Sequence, residues 1–374
     1  MVMTTIGPKA FIHIDRLRSN LWNIRRHIGE RPLLCVVKAN GYGHGAIPIA
    51  KAICREPGVH FAVFSLDEAI ELRENSIENN ILVFSRMQPE YVELALKHDL
   101  TLNLSSLNDM VYLKEYFSRT DKCPRFHIKF DTGMTRLGVN VSDAKILFDE
   151  IAPIEGINPE GVYSHFATAD EGDISYAEYQ LSQFNTVLKM AKTYNIRFKY
   201  VHCSNSGSLL SLPKSYFNMV RVGMLIYGVA PSGKVPVGIA VEPVMSFCGS
   251  IVELRRVPKG TQVSYGGVYL TDKATTIGVV QTGFADGFPR PWYKDGFVSY
   301  IGQRFKIAGR VCMDQLMVDF GGETPRIGDD VLFFGKKDLD HLPVESIAES
   351  IGSTTYVLLT AIKGRTEYIL LNNN

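Results

Sequence analysis

The sequence has no excess of either charge and no long apolar run. Its 374 residues include 40 basic and 39 acidic side chains, for a net charge of +1. This balance does not suggest the basic clustering expected of proteins that bind nucleic acid or membrane surfaces. No stretch approaches the roughly 18 apolar residues of a membrane-spanning helix, and residues 1–17 lack the basic segment and apolar core of a secretory signal peptide. We expect neither a nucleic-acid nor a membrane partner.

Closely spaced cysteines are also absent, because the six cysteines are scattered and none forms a C-x-x-C pair. Their positions are Cys35, Cys54, Cys123, Cys203, Cys248 and Cys312. In a chain of this length that distribution predicts reduced thiols, mostly packed in the core of a cytoplasmic protein. It offers no metal-ligand spacing, so no metal site is expected.

The chain does contain a repeated unit, in which a short β-rich run ending in small or polar residues precedes a helical pattern. Eight such runs occur, at residues 33–40, 60–65, 81–85, 100–105, 125–131, 160–166, 200–206 and 219–228. Parallel strands need such crossovers, and eight units match a (β/α)8 barrel of about 250 residues. An open doubly wound sheet is the alternative, but no G-x-G-x-x-G follows the first run. We predict an α/β fold with a TIM-type barrel over residues 1–236.

The composition changes at residues 230–243, which are rich in proline and glycine. Antiparallel-looking strands follow, in the segments 244–257, 274–283, 297–311, 316–320 and 330–335. One helical pattern interrupts them near residues 343–352. We predict a mainly β C-terminal domain over residues 237–374.

In a barrel of this type the active site lies at the C-terminal ends of the strands, and the sequence concentrates polar residues there. They are Lys38, Tyr42, Lys129, Asp131, Arg136, His165, Ser204–Gly207, Arg221 and Gly223. Lys38 ends an apolar run, which favours a lowered pKa and an amine able to form a Schiff base. The alternative is a lysine that snorkels out of a strand end. The glycines that follow favour close approach of the backbone to a ligand.

Small residues and free backbone amides occur at the last two strand ends, in "SNSG" (204–207) and "RVGM" (221–224). This is the usual phosphate position of the fold, although turn chemistry explains either run alone. Three of the strand-end residues, Arg136, His165 and Arg221, are ambiguous when taken singly, and so is Tyr265 in the second domain.

Eight segments, taken in order, resemble one family. They are "VVKANGYGHG", "DTGMTRLGV", "SHFATAD", "SNSG", "VRVGMLIYG", "SYGG", "GFADGFPR" and "GRVCMDQLMVD". Together they resemble the alanine racemases, pyridoxal-phosphate enzymes with a barrel and a β domain, over residues 8–368. The resemblance implies pyridoxal 5'-phosphate as cofactor, interconversion of L- and D-alanine, and a homodimer with shared active sites.

The resemblance also implies roles for the matched positions. Lys38 looks like the lysine that holds the cofactor and serves as one catalytic base. Tyr265 resembles the second acid–base residue, contributed by the partner subunit. Arg136 and the backbone amide of Met313 would bind the substrate carboxylate. Lys129 matches a lysine that is carbamylated in many relatives and braces Arg136.

For the cofactor, the resemblance implies five phosphate ligands: Tyr42, Ser206, Gly223, Met224 and Tyr356. Arg221 looks like the partner of the pyridine nitrogen, with His165 behind it in a hydrogen-bonded chain. An arginine there keeps the nitrogen unprotonated, which restrains side reactions at some cost in rate.

Some positions depart from the family pattern. Phe284 stands where a tyrosine is usual at the substrate entrance, and Val357 replaces a glutamate. Glu367 and Tyr368 replace a final Pro-Arg.

Alternative functions are a racemase of serine or of a broader amino-acid range, a fold-related decarboxylase, or a non-catalytic barrel that binds the same cofactor. The last alternative lacks a β domain, so residues 237–374 speak against it.

Overall fold

The computed structural model describes residues 6–372. Within them the strands are, in chain order, β1 (Pro8–His13), β2 (Leu33–Val36), β3 (Val59–Val63), β4 (Ile81–Val83), β5 (Thr101–Leu104), β6 (Arg125–Asp131), β7 (Val139–Asn140), β8 (Gly161–Tyr163), β9 (Tyr200–His202), β10 (Val220–Val222), β11 (Met245–Val257), β12 (Gln262–Val263), β13 (Tyr269–Leu270), β14 (Thr275–Val280), β15 (Phe297–Tyr300), β16 (Gln303–Ile307), β17 (Leu316–Asp319), β18 (Asp330–Lys337), β19 (Asp340–Leu342) and β20 (Glu367–Leu371).

The α-helices are α1 (Ile14–Ile28), α2 (Lys38–Tyr42), α3 (Ala46–Ile53), α4 (Leu66–Glu74), α5 (Pro89–Lys97), α6 (Leu107–Thr120), α7 (Ala144–Ile151), α8 (Ser175–Thr193), α9 (Ser206–Ser211), α10 (Val344–Ser350) and α11 (Thr355–Ala361). Short 3₁₀ segments occur at Val141–Asp143, Pro213–Ser215, Met224–Tyr227, Tyr265–Gly267, Phe284–Asp286 and Arg290–Tyr293.

Eight parallel strands form the barrel, in the order β10-β2-β3-β4-β5-β6-β8-β9. All eight coincide with predicted runs, and the predicted (β/α)8 barrel is confirmed. The side chain of Asn218 bridges the nearly closed gap between β9 and β10. Its Oδ1 accepts the Val201 N–H at 2.6 Å and its Nδ2 donates to the Lys199 carbonyl at 2.9 Å.

The helices form where the apolar period and the caps predict them. Helix α1 buries Ile14, Leu17, Leu21, Ile24 and Ile28, the stripe that a 3.6-residue period places on one face. Helix α4 begins with a complete capping box between Ser65 and Glu68, which satisfies amides that the first turn leaves free.

The second sheet is mainly antiparallel, as predicted, with the order β19-β18-β15-β16-β17-β14-β11-β1-β20. Its central strand β11 pairs with β1, β14 and β18. The helical pattern near residues 343–352 forms α10, while α11 was not predicted.

The N-terminal strand β1 pairs outside the barrel. It lies antiparallel to β11 and parallel to β20 in the second sheet. The predicted division into residues 1–236 and 237–374 otherwise stays a prediction. Residues 1–5 and 373–374 of those ranges lie outside the described residues.

No helix among residues 6–372 combines the length and the apolar character needed to cross a bilayer. The six cysteines are free thiols. The cytoplasmic location predicted from their distribution stays a prediction.

Candidate active site

Lys38 lies at the barrel mouth, just beyond β2, and begins a turn with left-handed backbone. The φ angle is between 51° and 63° at the four following residues, Ala39, Asn40, Gly41 and Tyr42. This conformation costs each non-glycine residue roughly 1–2 kcal/mol. Backbone strain of this kind persists only where neighbouring groups hold it.

Helix α11 packs directly on this turn. A Cβ on Gly43 would collide with the carbonyl oxygen of Leu359, so glycine permits the contact. The contact brings the Tyr356 ring within 5.8 Å of the Tyr42 ring, centroid to centroid. Burial raises the pKa of Tyr356 to about 12, so its hydroxyl keeps the proton and remains a donor at neutral pH.

The structure brings the predicted phosphate residues together at this end of the barrel. The Oγ of Ser206 accepts the N–H groups of Gly223 at 3.2 Å and of Leu225 at 3.3 Å. Its own hydroxyl hydrogen therefore remains available. A Cβ on Gly223 would lie 2.9 Å from the Tyr42 hydroxyl oxygen, so the absence of a side chain preserves the space there. Hydroxyl and amide donors around such a space fit a phosphate group.

Met224 continues this wall as the first residue of the Met224–Tyr227 segment, and its side chain is fully buried. The phosphate-binding roles of all five residues stay predictions.

Arg221 is 4% exposed and donates hydrogen bonds to four acceptors, three of them through NH2 and one through NH1. Its NH2 donates to the Ser164 carbonyl at 3.0 Å, the Cys203 carbonyl at 3.3 Å and His165 Nδ1 at 2.8 Å. Burial, followed by the charge of Arg221, holds the pKa of His165 well below its usual range. Because a guanidinium only donates, the neutral His165 accepts at Nδ1 and carries its proton on Nε2.

A second hydrogen-bonded chain leads from Arg221 into the barrel interior. Its NH1 donates to Nδ1 of His202 at 3.0 Å, and His202 Nε2 lies 3.0 Å from Nδ1 of His127. Burial lowers the pKa of both imidazoles, so each is neutral. The same donor argument makes His202 donate to His127, whose Nε2 faces Glu160 Oε2 at 3.8 Å.

The sequence analysis did not predict this hydrogen-bonded chain of Arg221, His202 and His127. The signal for it is a histidine in the middle or at the end of a barrel strand, present in β6 and in β9.

Two lysines share the positive field of the mouth. Burial, then Arg136, lowers the pKa of Lys38. Burial, then Arg136 and Arg221, lowers the pKa of Lys129 to about 8. The Lys129 ammonium lies 5.9 Å from the centre of the Tyr163 ring. Both lysines are thus closer to the neutral amine than a solvated lysine would be.

The loop that carries Arg136 is organised by one carboxylate. Asp131 accepts four backbone N–H groups at 2.8–3.1 Å, those of Gly133, Met134, Thr135 and Arg136. Burial alone would raise the pKa of Asp131, but these four bonds lower it. The sequence placed Asp131 at a strand end without a role, and the structure gives it the positioning of the Arg136 loop.

Tyr265 and Met313 lie on the second sheet's loops and are 66% and 56% exposed. The Tyr265 hydroxyl makes no hydrogen bond with any residue that the structure describes. The two loops are joined by Ser264, whose Oγ donates to the Arg310 carbonyl at 2.6 Å. One chain therefore presents both side chains largely to solvent.

The comparison with known proteins now decides the family. The family model for the alanine racemase N-terminal domain matches residues 12–231, and that for the C-terminal domain matches residues 244–370. The chain belongs to the alanine racemase family. The alanine racemase of Carboxydothermus hydrogenoformans is 38% identical over 359 residues, which are 95% of this chain and 97% of the relative.

Solved alanine racemases have the same fold. The structure from Clostridium difficile 630 has a TM-score of 0.92 at 32% identity. The match covers 99% of this chain and 97% of the Clostridium difficile chain. The structure from Bacillus anthracis, described with bound L-Ala-P, has a TM-score of 0.88 at 31% identity. The match covers 99% of this chain and 96% of the Bacillus anthracis chain. The predicted resemblance to alanine racemases is confirmed over nearly the whole chain.

The departures from the alanine racemase pattern fall on the surface side of the site. Phe284 is partly exposed, with the Arg290 guanidinium 5.7 Å from its ring centre. Val357 is exposed, so the missing glutamate leaves no packing defect. The Tyr368 hydroxyl donates to the Ile362 carbonyl at 3.0 Å. Among residues 6–372 no cluster of three His, Cys, Asp or Glu side chains has the arrangement of a metal site.

Proposed function

We propose that this protein interconverts L- and D-alanine with pyridoxal 5'-phosphate as its cofactor. The observation that carries the proposal is the convergence of Lys38, Arg221 and the Tyr42–Ser206–Gly223 wall at one barrel mouth, in a chain that belongs to the alanine racemase family. The Carboxydothermus hydrogenoformans relative is named an alanine racemase, and the Bacillus anthracis structure is described with bound L-Ala-P.

The donor set suits the cofactor at both of its polar ends. Tyr42, Ser206 and Tyr356, with the backbone of Gly223 and Met224, would hold the phosphate. Arg221, fixed by His165 and His202, would donate to the pyridine nitrogen. The bound cofactor supplies the delocalisation that makes a Cα proton of an amino acid acidic.

The chain's own residues then move that proton. Inversion requires removal on one face and return on the other. Lys38, whose lowered pKa favours a free amine, serves one face. Tyr265 of the partner subunit serves the other, and the neutral His165 presents an Nε2–H that can stabilise a phenolate.

The substrate carboxylate is held by positive charge and a backbone donor. Arg136 supplies the charge, on the loop that Asp131 organises. Met313 of the partner subunit supplies its N–H. This arrangement is part of the proposal that the protein is a homodimer with two shared sites.

The test is a chiral assay with purified protein and pyridoxal phosphate. D-Alanine should form from L-alanine, and L-alanine from D-alanine. In Lys38→Ala both rates should fall by at least about a thousandfold, with loss of the visible absorbance of the bound cofactor. Lys97→Ala, on the exposed end of α5, is the control. Release of carbon dioxide without inversion, or cofactor binding without turnover, would overturn the proposal.

Alanine should be preferred to serine, because we expect Tyr356 and the loops of the second sheet to leave only a methyl-sized space for the substrate side chain. The preference should be modest, since an apolar pocket rejects an added hydroxyl by only about a hundredfold. A larger kcat/KM for serine would assign the alternative substrate.

A further inference from the structure

Glu68 lies on α4, outside the residues just assigned, yet its carboxylate reaches the turn that follows Lys38. Its Oε1 accepts the N–H of Ala39 at 2.6 Å. Its Oε2 accepts the N–H groups of Phe64 at 2.8 Å and Ser65 at 3.1 Å. One side chain therefore ties the ends of two neighbouring barrel strands, β2 and β3.

The bonds to Phe64 and Ser65 are ordinary helix capping, and the chain contains a second example. Asp109 caps α6, where its Oδ2 accepts the N–H groups of Ser105 at 2.7 Å and Ser106 at 3.0 Å. Its other oxygen bonds locally, to the Ser106 hydroxyl at 2.7 Å. A carboxylate of aspartate length thus suffices for the cap. The bond to Ala39 is what the longer glutamate adds.

That added bond anchors a strained segment. Ala39 has φ 52° and ψ 51°, a conformation that alanine rarely adopts. The turn's next bonds are local, from Gly41 N to the Val37 carbonyl at 2.8 Å and from Gly43 N to the Ala39 carbonyl at 3.0 Å. The N–H of Ala39 is instead bound by a charged group from the following β–α unit. Such charge-assisted bonds are roughly twice as strong as neutral ones.

The charge of the Glu68 carboxylate also acts on the Lys38 amine. The groups around that amine are the guanidinium groups of Arg136 and Arg221, the Lys129 side chain, the neutral His165 and the Glu68 carboxylate. Burial and the two arginines lower the pKa of Lys38, and Glu68 raises it.

We propose that Glu68 is a positioning residue for Lys38. Through the Ala39 amide it holds the left-handed turn that directs Lys38 and Tyr42 into the barrel mouth. Its charge also offsets part of the surrounding positive field. The assignment rests on the proposed function in taking Lys38 as the reactive amine and pyridoxal phosphate as the ligand that it binds.

Three variants separate this role from helix capping. Glu68→Asp keeps the capping carboxylate but is one methylene too short for Ala39. Glu68→Gln keeps the length but removes the charge and one acceptor oxygen. Asp109→Asn is the matched control, because it weakens the same type of cap on α6, away from the Lys38 turn.

Three quantities are measured on the full-length chain. The first is the pH dependence of Lys38 labelling by an amine-specific reagent in cofactor-free protein, followed by peptide mass spectrometry with Lys97 as internal reference. The second is the dissociation constant of pyridoxal phosphate. The third is the melting temperature.

In Glu68→Gln the Lys38 labelling curve should shift to lower pH, because the offsetting carboxylate is gone. In Glu68→Asp and Glu68→Gln the cofactor dissociation constant should rise about tenfold or more, as expected for loss of a hydrogen bond to a charged group. Glu68→Asp should keep a near-normal melting temperature. Asp109→Asn should melt earlier with neither of the other quantities changed.

The proposal fails if both Glu68 variants match wild type in Lys38 labelling and cofactor affinity, or if Asp109→Asn changes these two quantities equally. If Glu68→Gln does not fold, cofactor affinity in Glu68→Asp decides. None of these measurements uses racemisation, so an inactive wild type would overturn the proposed function while leaving the Glu68 assignment to be decided by its own data.

Discussion

Lys129 is an ammonium buried beside two guanidinium groups, and at the residue scale its environment has a chemical consequence. Its pKa is lowered to about 8, first by burial and then by Arg136 and Arg221. At pH 7 roughly a tenth of it would be neutral amine, against roughly one part in three thousand for an ordinary lysine. A carbamate forms from neutral amine and carbon dioxide, and it would replace a repelled cation with an anion beside Arg136.

We therefore expect Lys129 to be carbamylated. Protein incubated with ¹³C-bicarbonate at neutral pH should give a carbamate carbon signal, which should disappear on acidification because the amine is then protonated. Lys129→Arg keeps the positive charge and should lack the signal. An identical spectrum for wild type and Lys129→Arg would exclude the modification.

Other features at the residue scale depend on which side chains meet in space. The strand-end pattern was enough to predict Lys38, Arg136, His165 and Arg221 as candidates, because parallel strands end at a common face. The partners that hold them were not predictable, since His202 and His127 look like core residues in the sequence.

At the scale of elements, strand β1 is held in the second sheet by a buried ion pair. The Lys9 ammonium donates to Asp330 Oδ1 at 2.8 Å and to Ser250 Oγ at 3.2 Å, with a side-chain exposure of 3% for Lys9. The pair links β1 with β11 and β18. Removing one partner leaves the other charge poorly solvated.

Lys9→Met should therefore lower the free energy of unfolding by about 1–3 kcal/mol. Urea denaturation measures this, with an unchanged slope showing that the same surface unfolds. Lys145→Met is the matched control, because its pair with Asp149 on α7 is exposed and such pairs often contribute nothing measurable. Equal urea midpoints for the two variants would contradict the anchoring role.

The element pattern shows where sequence periodicity is sufficient. Most of the eight barrel strands are short, largely buried apolar runs, although β6 also contains four polar residues. The antiparallel strands from residue 245 onward have their own turn signals. Strand β1 has the same local character, but its pairing with residues 245–249 and 367–371 depends on segments far away in the chain.

At the scale of the whole molecule, the shared-site proposal predicts complementation. Lys38→Ala and Tyr265→Phe, each nearly inactive, are mixed in equal amounts and allowed to exchange subunits. Half of the dimers would then be mixed, and each would contain one site with both native residues and one with neither. About a quarter of wild-type activity should return. Exchange confirmed by mass spectrometry without recovered activity would place both groups in one chain.

Buried histidines should make the free energy of unfolding of the whole molecule depend on pH. Burial lowers the pKa of His13, His44 and His60 to about 4. Burial also lowers the pKa of His127, His165 and His202. In the unfolded chain these groups titrate near 6.5. Between about pH 6.5 and 4 the unfolded chain therefore binds protons that the folded chain excludes.

The free energy of unfolding should thus fall as pH decreases through this range, by up to about 1.4 kcal/mol per pH unit for each histidine. Burial raises the pKa of Asp170, so this one carboxyl group instead adds to the free energy of unfolding as the pH decreases. Urea midpoints at intervals from pH 7 to 5 measure the slope, and His60→Gln should make it shallower. A free energy that is constant or rises on acidification would contradict the assignment of neutral buried imidazoles.

The sequence by itself determined the fold class and the main candidate residues. Hydrophobic period, strand count and the order of the motifs are local properties, and local properties can be read along one chain. The motifs around Lys38 and Arg221 also carried the resemblance that the family comparison confirmed.

Tertiary structure decided the rest. The left-handed turn after Lys38 exists because Glu68, 30 residues further along, and α11, from the other end of the chain, hold it in place. The neutral state of His165 and the lowered pKa of Lys129 depend on burial and on charges brought close by folding. Strain, burial and electrostatic fields belong to an arrangement of distant residues in space, and no local pattern in the sequence contains them.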